Sequence, residues 1–249
     1  MVSFDFLSVG QGDSELISVR DIRILIDGGP DGSAIRELNK AIKRDKYIDI
    51  LILSHPHTDH FVGLGEVVRN YEVGILLLPH TKTNSLSFSD FIDNVKREGI
   101  PVLTIGEGDK IFINGARIDV LSPSPSEEEN DPNARSIVAL FSGNGARVLF
   151  TGDIGLKEEK RISEEHSIKA DVLKVAHHGS SGSSSESFLR EVSPVISVIE
   201  VGKNNRYGFP SSEALERIDF FSGKALRTDK NGSIRVIPRE NSFEVIKLE

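Results

Sequence analysis

Ser54-His55-Pro56-His57-Thr58-Asp59-His60 places four metal-competent side chains within six residues, directly behind the apolar run Ile50-Leu51-Ile52-Leu53. Three of them are histidines, in a chain that has only seven. His55 and His57 lie two residues apart, so in extended geometry they share one face, and Asp59 and His60 follow on a predicted turn. Imidazole and carboxylate together suit zinc, manganese or iron. This spacing behind an apolar strand predicts a metal site and argues against a polar loop with surface histidines.

The composition bounds the class of protein. The chain has 249 residues, of which 38% are hydrophobic and 27% are charged, and no linker rich in proline, serine or charge divides it. Residues 1–249 are therefore predicted to form one globular domain. No apolar run approaches the ~20 residues of a membrane-spanning helix, and the zero cysteine count fits a reducing compartment. We expect a cytoplasmic protein without membrane contact.

The net charge of −8 bears on partners. Tight binding of nucleic acid through phosphates requires a basic face, and no Lys/Arg run is longer than Lys43-Arg44. A processive grip on long nucleic acid is therefore not expected. A small or transiently held anion fits the acidic balance better.

Apolar periodicity predicts alternating strands and helices. Three short strands fall within residues 4–26, and a helix over 33–44, a strand over 49–53 and a helix over about 64–70 follow them. From residue 109 the period changes to two, with hairpins and an exposed loop over 122–133, before a second set of helices and strands. Two sheet-plus-helix halves predict an α/β fold arranged as a four-layer αββα sandwich.

Residues able to perform chemistry recur at predicted strand ends. Besides residues 55–60, these are Asp27, Asp153 and His178. Because the carboxyl ends of strands are where sites of α/β proteins form, we expect these side chains to meet at one edge of the sandwich.

Together these residues resemble the metallo-β-lactamase superfamily. The shared motifs are the HxHxDH loop, Asp27-Gly28-Gly29, Thr151-Gly152-Asp153 and His177-His178-Gly179. Narrower motifs are similar to the ComEC-like metallohydrolases, which are related to the nuclease-like domain of a DNA-uptake protein. These are Val9-Gly10-Gln11-Gly12-Asp13, Leu173-Lys174-Val175-Ala176-His177-His178-Gly179-Ser180, Asn205-Arg206-Tyr207-Gly208-Phe209-Pro210 and Arg227-Thr228-Asp229. The resemblance covers almost the whole chain and implies two divalent metal ions, Zn or Mn.

The resemblance also implies a ligand set. The first metal would be held by His55 and His57, the second by Asp59 and His60, and both by a bridging Asp153. His178 fits the remaining histidine of the second site.

The same resemblance also implies roles for two side chains that would not bind metal, His177 and Asp27. His177 would be a substrate contact or proton donor, although the order within the His177-His178 pair stays open. Asp27 resembles the buried carboxylate that supports the metal loop through hydrogen bonds without binding metal.

The chain departs from the superfamily at two positions. A third histidine commonly binds the first metal, but Asn133 or Ser136 stands in its place, and oxygen ligands favour manganese relative to zinc. Phe209 stands where the related motif often has a histidine, which leaves Tyr207 or His177 to protonate a leaving group.

Four further residues are candidate substrate contacts, namely His80, Ser180, Arg206 and Tyr207. His80 lies at a strand end and either reaches the pocket or occupies a surface turn. Arg206, with Tyr207 beside it, either contacts phosphate or is a solvated loop charge. Ser180 opens a serine run that precedes a helix and offers hydroxyl and N–H donors to an anion. Asp13 either caps a turn or contributes to the site.

The first functional hypothesis is a binuclear phosphodiesterase or nuclease. Asp59 and Asp153 would hold a hydroxide between the metals that attacks phosphorus, and the partner would be a nucleotide or a transiently held nucleic acid. One alternative is hydrolysis of a carbonyl ester, lactone or thioester by the same fold. Another is a mononuclear or inactive domain that binds a nucleotide.

Overall fold

The computed structural model of the chain describes residues 1–43, 45–80, 83–125 and 131–249. Within these residues two β-sheets pack face to face and α-helices cover both outer faces. The predicted four-layer αββα sandwich is confirmed.

The described residues form fifteen strands and seven α-helices. The strands are β1 (Val2–Phe6), β2 (Glu15–Val19), β3 (Ile22–Ile26), β4 (Tyr47–Ile52), β5 (Glu72–Pro79), β6 (Val102–Ile105), β7 (Lys110–Ile113), β8 (Ala116–Ser122), β9 (Val138–Gly143), β10 (Ala146–Phe150), β11 (Val172–Lys174), β12 (Ile196–Ile199), β13 (Lys224–Arg227), β14 (Ile234–Arg239) and β15 (Ser242–Lys247). The helices are α1 (Ser33–Ile42), α2 (Thr58–Asn70), α3 (Leu86–Arg97), α4 (Leu156–Glu165), α5 (Glu186–Val192), α6 (Ser212–Phe221) and α7 (Thr228–Asn231).

Each of the two sheets combines a run of parallel strands with a run of antiparallel strands. The first has the order β15-β14-β1-β2-β3-β4-β5-β6, and the second has the order β13-β12-β11-β10-β9-β8-β7. Strands β3 to β6 run parallel in the first sheet, as do β10 to β13 in the second, and a helix connects each successive pair. The carboxyl ends of these parallel strands carry the loops described below.

Strand β4 shows why its sequence is continuously apolar. Leu51 packs among buried residues of the first sheet and its helices, such as Leu38 and Leu64, while Ile52 faces the core between the sheets. A parallel strand buried on both faces lacks the alternation of a half-exposed strand. Between the sheets, Phe4 and Phe141 meet edge to face with ring centroids 4.9 Å apart.

Some element boundaries differ from the prediction. Helix α2 begins at Thr58, whereas its apolar periodicity indicated a start near Leu64, because the polar first turn carries no apolar signal. Arg44, predicted to end the first helix, and residues 126–130 of the predicted exposed loop lie outside the described residues. Throughout the described part of the chain, no helix is long and apolar enough to cross a membrane.

Candidate metal centre

The histidine loop connects β4 to α2. His57 precedes the helix in an extended conformation, and Asp59 and His60 lie in its first turn. The predicted turn is therefore the start of a helix, whose rigid backbone fixes both side chains. His55 and His60 are fully buried, and their ring centroids are 4.1 Å apart.

Asp27 supports this loop from the end of β3. Its backbone φ of 54° lies in the left-handed region, and the next residue, Gly28, donates its N–H to the His60 carbonyl at 2.8 Å. A Cβ on Gly28 would lie 2.4 Å from the Leu64 nitrogen, so only glycine allows this approach to α2. The result is a 2.7 Å contact between Asp27 Oδ2 and His60 Nδ1. This contact orients the His60 ring, and the role of Asp27 in supporting a metal site stays a prediction.

Three buried histidines each have their Nδ1 atom engaged. The partners are Ser54 Oγ at 3.0 Å for His55, Asp27 Oδ2 at 2.7 Å for His60, and the Glu200 carbonyl at 2.9 Å for His178. Their Nε2 atoms are buried and have no hydrogen-bond partner among the described residues. An imidazole that donates from Nδ1 presents a lone pair at Nε2. Because buried polar atoms without a partner are destabilising, the arrangement fits a bound cation.

Asp153, which follows β10, is the carboxylate at which these nitrogens converge. Its Oδ2 lies 3.3 Å from His60 Nε2, 3.5 Å from His178 Nε2 and 3.9 Å from His55 Nε2. Asp59 Oδ2 lies 3.6 Å from His178 Nε2. The groups whose ligand atoms are close enough to hold an ion include His55, His60 and Asp153, and also Asp59, His60 and His178.

The electrostatics of the centre are those of a cation site. Burial alone would lower the pKa of His178, but Asp153 and Asp13 outweigh it and raise the pKa to about 10. Asp153 stays ionised, because the nearby histidines lower its pKa well below the usual value although burial opposes this. Burial, together with His60, holds the pKa of His55 well below its ordinary value. A divalent ion would displace protons from such ligands and neutralise the carboxylates.

The neighbouring histidines 177 and 178 differ in placement. Both adopt left-handed backbone angles, with φ of 50° and 54°. Such a conformation costs a non-glycine residue about 1–3 kcal/mol and is concentrated at functional sites. The side chain of His178 is 2% exposed beside Asp59, whereas that of His177 is 31% exposed and its Nε2 lies 4.0 Å from Asp153 Oδ2. This placement favours His178 as the ligand and His177 as a cavity contact.

A cavity of about 520 Å³ opens onto these side chains. Its lining residues are Gln11, Pro56, His57, Thr58, Asp59, Thr83, Ser85, Pro132, Asn133, Asp153, His177, His178, Tyr207 and Phe209. Asn133 Oδ1 is buried and has no hydrogen-bond partner among the described residues, as expected of an oxygen aimed at a cation. A cavity of about 600 Å³ at the opposite strand ends contains no histidine among its described lining residues, so size alone does not locate the site.

The remaining predicted substrate contacts are dispersed. Arg206 borders an adjoining cavity of about 390 Å³ together with Tyr207 and Asp59. His80 is exposed and Ser180 is half-buried, and neither is among the described residues that line the two cavities at the centre. Ser180 Oγ accepts the N–H of Gly182 at 3.2 Å, so this serine organises its own loop. Substrate contact by His80 and Ser180 stays a prediction.

A buried charge cluster beside the metal centre was not foreseen. Lys174 at the end of β11 is fully buried; it forms an ion pair with Asp13, donates to the Gly152 carbonyl at 3.0 Å and lies 3.8 Å from Asp153 Oδ1. Burial alone would lower the pKa of Lys174, but Asp13 and Asp153 raise it well above its usual value. Asp13 also lies 3.2 Å from His178 Nδ1. One sequence signal was present, namely a lysine inside the otherwise apolar segment 172–176.

Two carboxyl groups extend this cluster. Glu15 and Glu200 are buried, and burial together with Asp13 raises the pKa of Glu15 to about 8. The Glu200 carboxylate accepts the backbone N–H of Ser14 at 3.2 Å. Neither glutamate is among the described residues that line the cavity of about 520 Å³.

Comparison with known proteins agrees with this geometry. Residues 7–202 match the family described as the metallo-beta-lactamase superfamily. The chain belongs to the metallo-β-lactamase superfamily. The predicted family is thus confirmed, and the chain has the fold of metal-dependent hydrolases with clusters of candidate metal ligands at its centre.

Relatives of this superfamily member include proteins whose names refer to competence. ComE operon protein 3 of Bacillus subtilis (strain 168) is 31% identical over 93% of this chain and 32% of its own length. Recombination protein 2 of Haemophilus influenzae is 30% identical over 97% of this chain and 29% of its own length. Competence protein ComA of Neisseria gonorrhoeae is 30% identical over 91% of this chain and 31% of its own length. The chain thus spans about a third of the length of these relatives.

Solved structures show the same fold at low identity. The metallo-beta-lactamase fold protein YhfI from Bacillus subtilis superposes with a TM-score of 0.65 at 12% identity, covering 94% of this chain and all 100% of that one. Igni18, a metallo hydrolase from Ignicoccus hospitalis, superposes with a TM-score of 0.59 at 15% identity over 99% and 100% of the two chains.

Proposed function

We propose that this superfamily member is a metal-dependent phosphodiesterase that uses two divalent ions. The main support is the set of buried Nε2 atoms on His55, His60 and His178, which have no hydrogen-bond partner among the described residues. All three lie within 4 Å of Asp153 Oδ2. Once an ion displaces their protons, imidazole nitrogens around an ionised carboxylate are a donor set that zinc and manganese take in proteins.

Each ion would have its own ligands. The first would be held by His55 and His57 with Asn133 supplying an oxygen, the second by Asp59, His60 and His178, and Asp153 would serve both. The amide oxygen of Asn133 in place of an imidazole makes the first site relatively favourable to manganese. Ions bound there would supply Lewis-acid polarisation of the phosphoryl oxygens and activation of water.

The protein's own residues prepare the cavity for this chemistry. Burial raises and His178 lowers the pKa of Asp59, and the net result is a pKa far below the ordinary range, so Asp59 remains an anion and a hydrogen-bond acceptor. Burial lowers the pKa of His177, so at neutral pH its ring offers a hydrogen bond to substrate and not a positive charge. Asp27 and the Glu200 carbonyl hold the rings of His60 and His178 in fixed orientations.

Two considerations support a phosphodiester over a carbonyl substrate. The relatives at about 30% identity have names that refer to competence and recombination, which favours a nucleic acid or nucleotide. In addition, Arg206 borders the cavity adjoining Asp59, where its positive charge would attract an anionic phosphodiester. The acidic net charge of −8 fits a substrate held transiently.

The test combines metal content with turnover. Protein purified without chelator should contain about two metal ions per chain by elemental analysis and should hydrolyse bis-p-nitrophenyl phosphate with manganese. Asp59→Asn should reduce kcat/KM on the order of a hundredfold, whereas Asp219→Asn, at an exposed position of α6, should not change it.

Other outcomes would overturn the proposal. One ion per chain would favour the mononuclear or nucleotide-binding alternative. Turnover of a lactone, thioester or nitrocefin by a protein with two ions that is inert on phosphodiesters would assign the site to carbonyl substrates.

A further inference from the structure

The rings of Phe209 and Tyr207 form a stack, here called the aromatic ladder, that leads out of the candidate metal centre. We call residues 202–210, between β12 and α6, the aromatic loop. Its Phe209 ring lies 6.4 Å from the ring of His178 and edge-on to His177 at 5.6 Å. The Tyr207 ring stacks on Phe209 with centroids 5.7 Å apart and planes 17° from parallel. The two stacked rings therefore lead from the buried imidazole of His178 to solvent.

One side chain holds both rings in place. Asn205 donates from Nδ2 to the carbonyl oxygens of Gly202 at 3.1 Å and Phe209 at 2.6 Å, and its Oδ1 accepts the N–H groups of Tyr207 at 3.1 Å and Phe209 at 3.0 Å. These bonds fix alternate residues of the loop with their rings on the same side. The stacked pair is thus preorganised, which removes ordering entropy from any binding event that uses it.

The outer ring is exposed where a ligand would enter. Tyr207 is 52% exposed and lines both the cavity at the metal centre and the adjoining cavity that contains Arg206. Arg206 rests on Tyr207, with its guanidinium carbon 5.0 Å from the ring centroid and Nη2 donating to the phenol oxygen at 2.9 Å. A planar cation on a flexible stem therefore covers the end of the ladder. Single exposed aromatics need no explanation, but a preorganised stack at a cavity rim does.

We infer that Tyr207 and Phe209 form a stacking subsite for an unpaired nucleobase next to the phosphodiester bound at the metal centre. This rests on the proposed phosphodiesterase function. The base would stack on Tyr207, and the Arg206 guanidinium would move to the far face of the base. Bases stack on aromatic rings and arginine planes in proteins that bind single strands, with little dependence on sequence.

The charge of the protein supports stacking as the source of affinity. With a net charge of −8, attraction of phosphates beyond the one at the metal centre contributes little to binding, because such affinity comes from neutralising phosphates with basic residues. Recognition must then come from another part of the nucleotide. A duplex keeps its base faces inside the helical stack, so the subsite selects single strands, frayed ends or free nucleotides.

The first test compares two chromogenic phosphodiesters with one leaving group, thymidine 5′-p-nitrophenyl phosphate and methyl p-nitrophenyl phosphate. Wild-type protein should prefer the nucleoside ester in kcat/KM on the order of tenfold, within the range of base–aromatic stacking. In Tyr207→Leu the ratio of the two kcat/KM values should fall to near one. Tyr207→Phe and Tyr207→Trp should keep it, because they keep the ring. Phe112→Leu, at a ring that is 75% exposed on β7, is the control and should not alter the ratio.

A binding experiment separates this inference from the catalytic proposal. Fluorescence anisotropy in EDTA, where turnover cannot occur, compares a labelled oligothymidylate decamer with a decamer that has the same phosphates and no bases. Wild type should bind the first about tenfold more tightly, and Tyr207→Leu should lose the difference. Equal affinity of wild type for both strands, or an undiminished difference in Tyr207→Leu, would overturn the subsite. Base-dependent binding with no phosphodiester turnover under any metal would keep the subsite and overturn the phosphodiesterase.

Discussion

Replacing Lys174 by methionine tests the buried charge cluster beneath the metal centre. The substitution keeps an unbranched side chain of similar length but removes the only ammonium that contacts both Asp13 and Asp153 among the described residues. Removing one partner of a buried ion pair leaves the other charge uncompensated and costs about 3–5 kcal/mol. For a chain of this size, each kcal/mol lowers the melting temperature by about 2–4 °C. We therefore expect Lys174→Met to melt roughly 6–20 °C below wild type.

The assay is thermal and urea unfolding in EDTA, so that metal binding does not contribute. Lys224→Met, at an exposed position of β13, is the matched control and should stay within about 0.5 kcal/mol of wild type. Combining Lys174→Met with Asp13→Asn should destabilise by less than the sum of the single changes, by at least about 1 kcal/mol, because the two groups share one interaction. A loss below about 1 kcal/mol in Lys174→Met, or full additivity in the double variant, would refute the reasoning.

Three further predictions concern residues that pack around the candidate metal centre and support its structure. Asp27→Asn should weaken metal binding about 10- to 100-fold in a chelator competition, because His60 loses its carboxylate partner. Glu15, with a pKa raised from 4.5 to about 8, binds a proton only in the folded state between those pH values, so its stabilisation is complete below pH 4.5 and is lost as the pH rises through 8. Relative to wild type, Glu15→Gln should therefore gain up to about 1.4 kcal/mol of unfolding free energy per pH unit across that window, measured by urea unfolding at several pH values. In α2, a Cβ on Gly63 would lie 1.7 Å from a carbonyl oxygen of the turn after β3, whereas one on Gly65 has its nearest contact at 3.8 Å. Gly63→Ala should prevent folding or unfold at far lower urea, and Gly65→Ala should be neutral or stabilising.

Much of the fold was predictable because its signals are local. The apolar run before Ser54 and the change of period at residue 109 indicate where parallel and antiparallel strands lie, and those strands carry the loops to one edge. The ligand candidates His55, His60, Asp153 and His178 meet there because each follows a strand end, which a sequence displays directly.

Features that depend on distant contacts could not be predicted in the same way. Asp13 resembles an ordinary turn aspartate until the fold brings it against Lys174, which lies 161 residues later in the chain. The start of α2 was placed late because a polar first turn has no periodicity. The stacking of Tyr207 on Phe209 follows from four hydrogen bonds of one asparagine, which composition does not indicate.

The candidate ligands come from both sheets, and this has a consequence for mechanics. His55 and His60 follow a strand of the first sheet, whereas Asp153 and His178 follow strands of the second. Ions shared among them would act as a reversible cross-link between two halves that also meet through the apolar core and the buried Lys174–Asp13 ion pair. Occupancy and separation of the halves are then thermodynamically linked: metal at a thousandfold excess over Kd would add about 4 kcal/mol of resistance to unfolding. By the same linkage, any change that favours separation of the two sheets would lower the affinity for metal.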